Sequence, residues 1–187
     1  MIRKIAATAF FLLLGACQTT QAPANKDYSA TVADAAKTVC IPYVGDTTAL
    51  RKAAMAYTGD SGKEFDLKDV TGPIKVWHYQ IVEDGRNVSF IAVGGPGSCG
   101  VTFVNDVADL DVVQGDLGAE VYGGFRPSAL KNQTGYGRIE GQNFVVLFSA
   151  FDFDQGKASH GVSFITQDAY QRVEVPNGAP EKLEWGG

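Results

Sequence analysis

The chain has 187 residues, a formal charge of −5, 45% hydrophobic side chains and 20% charged ones. That length suits one domain with a substantial core, and the hydrophobic share is too high for a disordered chain. The excess of acids gives a phosphate backbone nothing to hold, which excludes nucleic acid as a partner.

Arg3 and Lys4 open the chain, and an uncharged run, Ile5 to Leu14, follows. At about ten residues the run is too short for a bilayer that needs roughly 20, and it has the form of the apolar core of a secretory signal. Leu14-Gly15-Ala16-Cys17 closes it. Small residues before a Cys, straight after such a run, resemble the lipobox of bacterial lipoproteins. The resemblance implies export, diacylation of the Cys17 thiol, cleavage after Ala16 and acylation of the new amino group. An ordinary signal peptide with a chance Cys is the alternative. Each buried methylene contributes about 0.8 kcal/mol, and two chains already anchor a protein stably. Gln18 stands where the inner-membrane lipoproteins of this class tend to carry Asp, so the resemblance implies the outer membrane, on its periplasmic side.

Residues 1–16 are read as signal peptide, 17–27 as the lipidated Cys and a polar flexible tether, and 28–187 as one globular domain. Loss of Arg3 and Lys4 with the signal takes the formal charge from −5 to −7. No basic patch holds such a domain on anionic headgroups, so it is expected to stand off the membrane. With Cys17 spent on lipid, Cys40 and Cys99 remain as an even pair in an oxidising compartment. The reading is one disulfide; two buried thiols or one reactive thiol are the alternatives.

Val32, Ala35, Ala36 and Val39 recur at helical spacing, predicting a helix over Ser29 to Val39 that stops by Cys40-Ile41-Pro42. A second helix is predicted from Thr47 to Tyr57, with Asp46 as N-cap, Gly59 as stop and Leu50, Ala53, Ala54 and Tyr57 on its apolar face. Ile74 to Val82 and Asn87 to Val93 flank Asp84-Gly85, a strong hairpin signal. Gly94 to Gly97 is a break, and Val101 to Val104 begins a third strand. Asn105 to Gln114 reads as a helix ended by Gly115 and Gly118. Weaker strands follow at Ala119 to Phe125 and Tyr136 to Glu140. Asn143 to Phe151 is apolar on both faces, as a central strand is, and it pairs with Val162 to Thr166 across a ten-residue connection. Arg172 to Val175 is a candidate edge strand. The fold class is α+β: two N-terminal helices, then a mainly antiparallel sheet of about five to seven strands with one inserted helix.

Candidate chemistry is sparse. Ser98 and Cys99 sit in Gly97-Ser98-Cys99-Gly100, which lacks the spacing of a nucleophile elbow, and only His78 and His160 could serve as a base. His78 lies inside a strand, where packing is its commoner role. His160 lies in a predicted loop. Asp152 and Asp154 resemble the start of a calcium loop, but Gly156 and Ser163 stand where further ligands belong. Two His and two paired Cys leave little for zinc, and no cofactor is expected. Aromatic residues including Trp77, Tyr79, Phe90, Phe144 and Phe148 fall on candidate strands. Any on a helix-free sheet face would line a groove. The leading expectation is a lipid-anchored, non-enzymatic binding or accessory factor for another envelope component, foremost a protein. The rivals are a periplasmic hydrolase or thiol enzyme using Cys99 or Ser98 with His78 or His160, and a carrier of a small ligand or lipid.

Overall fold

In the computed structural model of this chain the described residues are 26–69, 72–95, 97–104, 107–127, 133–153 and 157–172. The signal, Cys17, the first part of the tether and the residues after 172 lie outside them.

Helix α1 (Ser29–Ala35) continues through a π-turn (Ala36–Cys40) into a short 3-10 turn (Ile41–Tyr43). The Ile41 N–H reaches back five residues to the Ala36 carbonyl, which loosens the spiral just before Pro42. The predicted apolar stripe, Val32, Ala35, Ala36 and Val39, is fully buried. Helix α2 (Thr47–Thr58) starts where Asp46 accepts the Ala49 N–H at 2.9 Å and ends at Gly59, whose φ of +69° is left-handed. It buries Leu50 and Ala54.

Eight strands form one antiparallel sheet: β1 (Lys63–Asp69), β2 (Gly72–Glu83), β3 (Arg86–Gly94), β4 (Ser98–Val104), β5 (Ala119–Pro127), β6 (Gln133–Ile139), β7 (Phe144–Phe153) and β8 (Lys157–Thr166). Their order is β1-β2-β3-β4-β8-β7-β6-β5. Each half is therefore a four-stranded meander that begins at an edge and ends at the centre, where β4 pairs with β8. The expected hairpin is present, with Asp84 and Gly85 both at positive φ (52° and 73°).

Helix α3 (Leu110–Leu117) carries the chain across to the second meander, and α4 (Gln167–Arg172) follows β8. α1, α2 and α3 lie on one face of the sheet. Tyr79, Ile91, Val93, Val101, Phe148 and Phe164 point into that layer and are fully buried. Strand β3 departs from simple alternation because an extra residue, Val88, is inserted opposite Ile81 and Val82. The bulge turns Val88 and Ser89 inward together, and the Ser89 hydroxyl donates to the Thr102 carbonyl at 2.8 Å.

The α+β class and the antiparallel sheet agree with expectation; several details differ. Among the described residues there are eight strands rather than five to seven. β1 was not expected, because Lys-Glu-Phe-Asp-Leu-Lys-Asp carries only Phe65 and Leu67 as apolar residues. α3 starts five residues later than its periodicity suggested. Asp109 is its N-cap and accepts the Asp111 N–H, while the Asp109 N–H is held by the buried Ser29 hydroxyl at 2.8 Å. Gly115 lies inside this helix and Gly118 ends it. β7 and β8 run on to Phe153 and back from Lys157, shortening the expected ten-residue connection. Arg172 ends a helix rather than opening a strand, and 173–175 lie outside the described residues.

Candidate functional site

Cys40 and Cys99 are bridged, with Cα atoms 5.3 Å apart and neither residue more than 1% exposed. The bond joins the π-turn at the end of the first helical run to the start of β4, across the seam between helices and sheet. The loop beside it is drawn in as well. Gly45 N–H donates to the Gly97 carbonyl at 2.8 Å, and a Cβ on Gly97 would fall 2.3 Å from the Gly45 carbonyl carbon. Cys99 thus has no thiol to act as a nucleophile.

The other candidates are not brought together. Ser98 stands on the face of the sheet away from α1, α2 and α3, beside Gly94. His78 is on the same face but two strands and one residue pair away, about 12 Å by strand spacing and outside hydrogen-bond reach. His160 belongs to β8, not to a loop, and points to the helix face in line with Val162 and Phe164. It is paired with Phe103, four residues along the strand from Cys99, or about 13 Å. Its ring stacks on Phe103 at 5.8 Å, and its Nδ1 is buried with no hydrogen-bond partner. Burial lowers its pKa, opposed by the Asp109 carboxylate. Asp152 is in β7 opposite Ala158, and Asp154 lies outside the described residues. Among the described residues no three His, Cys, Asp or Glu side chains gather as metal ligands. Cys17 lies outside the described residues.

The aromatics sort by face. Trp77, Tyr79, Phe144 and Phe148 join the helix-side core. Phe65, His78 and Phe90 form a row on the opposite face, with His78 4.8 Å from one ring and 6.4 Å from the other. Burial between them lowers the His78 pKa, favouring the neutral imidazole. The middle of this face, on β3, β4 and β8, is a band of small residues: Ala92, Gly100, Thr102, Gly161 and Ser163. A Cβ on Gly100 would meet the Ser163 hydroxyl at 2.7 Å, so a larger residue there requires that hydroxyl to turn aside. Beyond the band, on β6, β7 and β8, stand Tyr136, Val145, Leu147 and Ile165. Tyr136 and Val145 are buried yet do not belong to the helix-side core. The face thus carries small residues on β3, β4 and β8, with Phe65, His78 and Phe90 to one side and Tyr136, Val145, Leu147 and Ile165 to the other.

Side-chain periodicity alone could not have found this face, because the assignment of Phe65 and Phe90 to it depends on register. At the helix-side rim, Arg51 of α2 lies over the Trp77 ring at 4.2 Å, and the Trp77 indole N–H donates to Glu64 at 2.9 Å. Lys75 also bonds Glu64. These contacts close the core near β1. Comparison with known proteins finds no matching family model, no similar curated protein and no similar solved structure.

Proposed function

We propose that the chain is a lipid-anchored bacterial envelope lipoprotein, held through Cys17 on the periplasmic side of the outer membrane, whose α+β domain binds another envelope protein. The observation that carries this reading is the buried Cys40–Cys99 bridge. A disulfide of this kind persists in an oxidising compartment, which agrees with the resemblance of residues 3–17 to an export signal ending in a lipobox. It also withdraws the thiol that a thiol enzyme would need.

The face away from α1, α2 and α3 supports the binding half of the reading, with small residues on β3, β4 and β8 between apolar side chains. An extended segment of a partner can lie along the small residues while its side chains contact Phe90 on one side and Leu147 on the other. The same arrangement favours the carrier of a lipid or small ligand as the second reading. A photo-crosslinking residue at Ala92, among the small residues, separates the two in intact cells. A discrete protein adduct is expected, and adducts with lipid alone would transfer the assignment to the carrier. The anchor is tested in the same strain by metabolic labelling with a fatty acid, which is expected to mark the wild-type chain and not Cys17→Ala. Equal labelling of both would refute the anchor.

A further inference from the structure

Among the described residues the sheet ends at β1 and at β5, and the two edges differ. At β5 the ladder to β6 breaks after Tyr122, so that Gly123, Gly124 and Phe125 are set against Gly135 alone. A bulge of that kind spoils an edge as a template for another strand. At β1 all seven residues pair with β2 in unbroken register, from Lys63 opposite His78 to Asp69 opposite Gly72. Of the β1 residues whose side chains are described, Lys63, Glu64, Phe65 and Asp66, none belongs to the buried core. Among the described residues no strand pairs with the outer side of β1, whose backbone groups form a regular row that a further strand can approach.

The order of charges along β1 selects the strand that fits. It reads Lys63, Glu64, Phe65, Asp66, Leu67, Lys68, Asp69. Set against itself in the antiparallel sense about Asp66, it places Lys63 opposite Asp69, Glu64 opposite Lys68 and Phe65 opposite Leu67, each pair twice. Opposite charges and apolar pairs directly across an antiparallel ladder each stabilise it, and like charges do the reverse. The one like-charge pair, Asp66 with Asp66, falls beside the two copies of Lys75, the cross-strand neighbour of Asp66. A two-fold axis perpendicular to the sheet keeps both helix layers on one side, which requires this kind of register. Moving the axis to Phe65 sets Glu64 against Asp66 and Lys63 against Leu67. Moving it to Leu67 leaves only Asp66 with Lys68 as opposite charges. The pairing about Asp66 is the one that uses the whole strand.

We propose that β1 is an interface for a second copy of this chain, pairing antiparallel about Asp66 to join two eight-stranded sheets into one. A single strand pair is at the small end of specific interfaces, so the association is reversible and depends on concentration.

The test uses the intact chain purified in detergent. In Asp66→Cys the two introduced thiols meet at the axis, and a mild oxidant is expected to give a disulfide-linked dimer above the wild-type background. Lys63→Asp, added to Asp66→Cys, sets like charges opposite each other twice and is expected to lower the crosslinking yield about tenfold. Adding Asp69→Lys as well restores opposite charges at the same positions and is expected to restore the yield. Failure of Asp66→Cys to crosslink, or a yield indifferent to Lys63→Asp, overturns the interface. If the Asp66→Cys chain does not fold, sedimentation of wild type, Lys63→Asp and the Lys63→Asp/Asp69→Lys swap reads the same pattern. Loss of dimer in the first variant and recovery in the second supports the proposal; three identical profiles refute it.

Discussion

Replacing both Cys40 and Cys99 with Ala removes a cross-link spanning 59 residues. The loop it closes holds the rest of the helical run after Cys40, all of α2 and the first three strands. Opening that loop in the unfolded chain costs about 4 kcal/mol of native stability by chain entropy. For a domain of this size 1 kcal/mol moves the melting temperature by roughly 2–4 °C, so a fall of about 8–16 °C is expected. Thermal melts followed by circular dichroism, wild type against the double variant, read this directly. Both cysteines are sealed in the seam, so mild reductant should leave the folded wild type unchanged and lower its melt only after a cycle of unfolding. A drop of less than about 3 °C in the double variant would mean that helix–sheet packing alone holds the seam, and the reasoning from loop closure would fail.

Gly97→Ala forces a Cβ into the Gly45 backbone at a residue whose φ is +82°, and roughly 2 kcal/mol or more of stability should be lost in urea titrations. Gly59→Ala, with φ +69° but nothing within 4 Å of the new Cβ, should lose less, and equal losses would contradict the steric account. Phe148→Ala, in a fully buried position, should cost about 3–5 kcal/mol, and an unchanged unfolding midpoint would contradict its place in the core. Burial lowers the pKa of His78 and His160 below the ordinary value of 6.5. The unfolded chain therefore takes up protons first, and stability should fall as pH drops below about 6.5 toward the lower folded values. Replacing either His with Phe should flatten the slope of stability against pH in that window, and an unaltered slope in both variants would remove this contribution.

The helical segments were legible where local rules and tertiary burial agree. Asp46, Gly59 and the stripe Leu50, Ala53, Ala54 and Tyr57 define α2 by capping and periodicity, and the structure uses them in those roles. The β2–β3 hairpin was legible for the same reason, because Asp84-Gly85 supports a turn that few other pairs allow. α3 was misplaced because Val107 fits a helical period but serves another purpose. Its carbonyl accepts the Tyr28 N–H at 2.8 Å, tying the entry of α1 to this segment. β1 was missed because an edge strand needs few apolar residues, and its charges resemble those of a loop. The disulfide followed from compartment and parity, whereas the make-up of the face away from α1, α2 and α3 did not follow from sequence. Whether Phe65 and Phe90 share a face with His78 depends on pairing register, which no local signal carries.

The most direct test of the envelope-lipoprotein reading is the intact mass of the chain recovered from bacterial membranes, taken after thiol alkylation without and with reduction. The expected species begins at Cys17, carries three acyl chains, takes no label before reduction and two labels after it. A mass without acyl chains, or label incorporated before reduction, would contradict the reading.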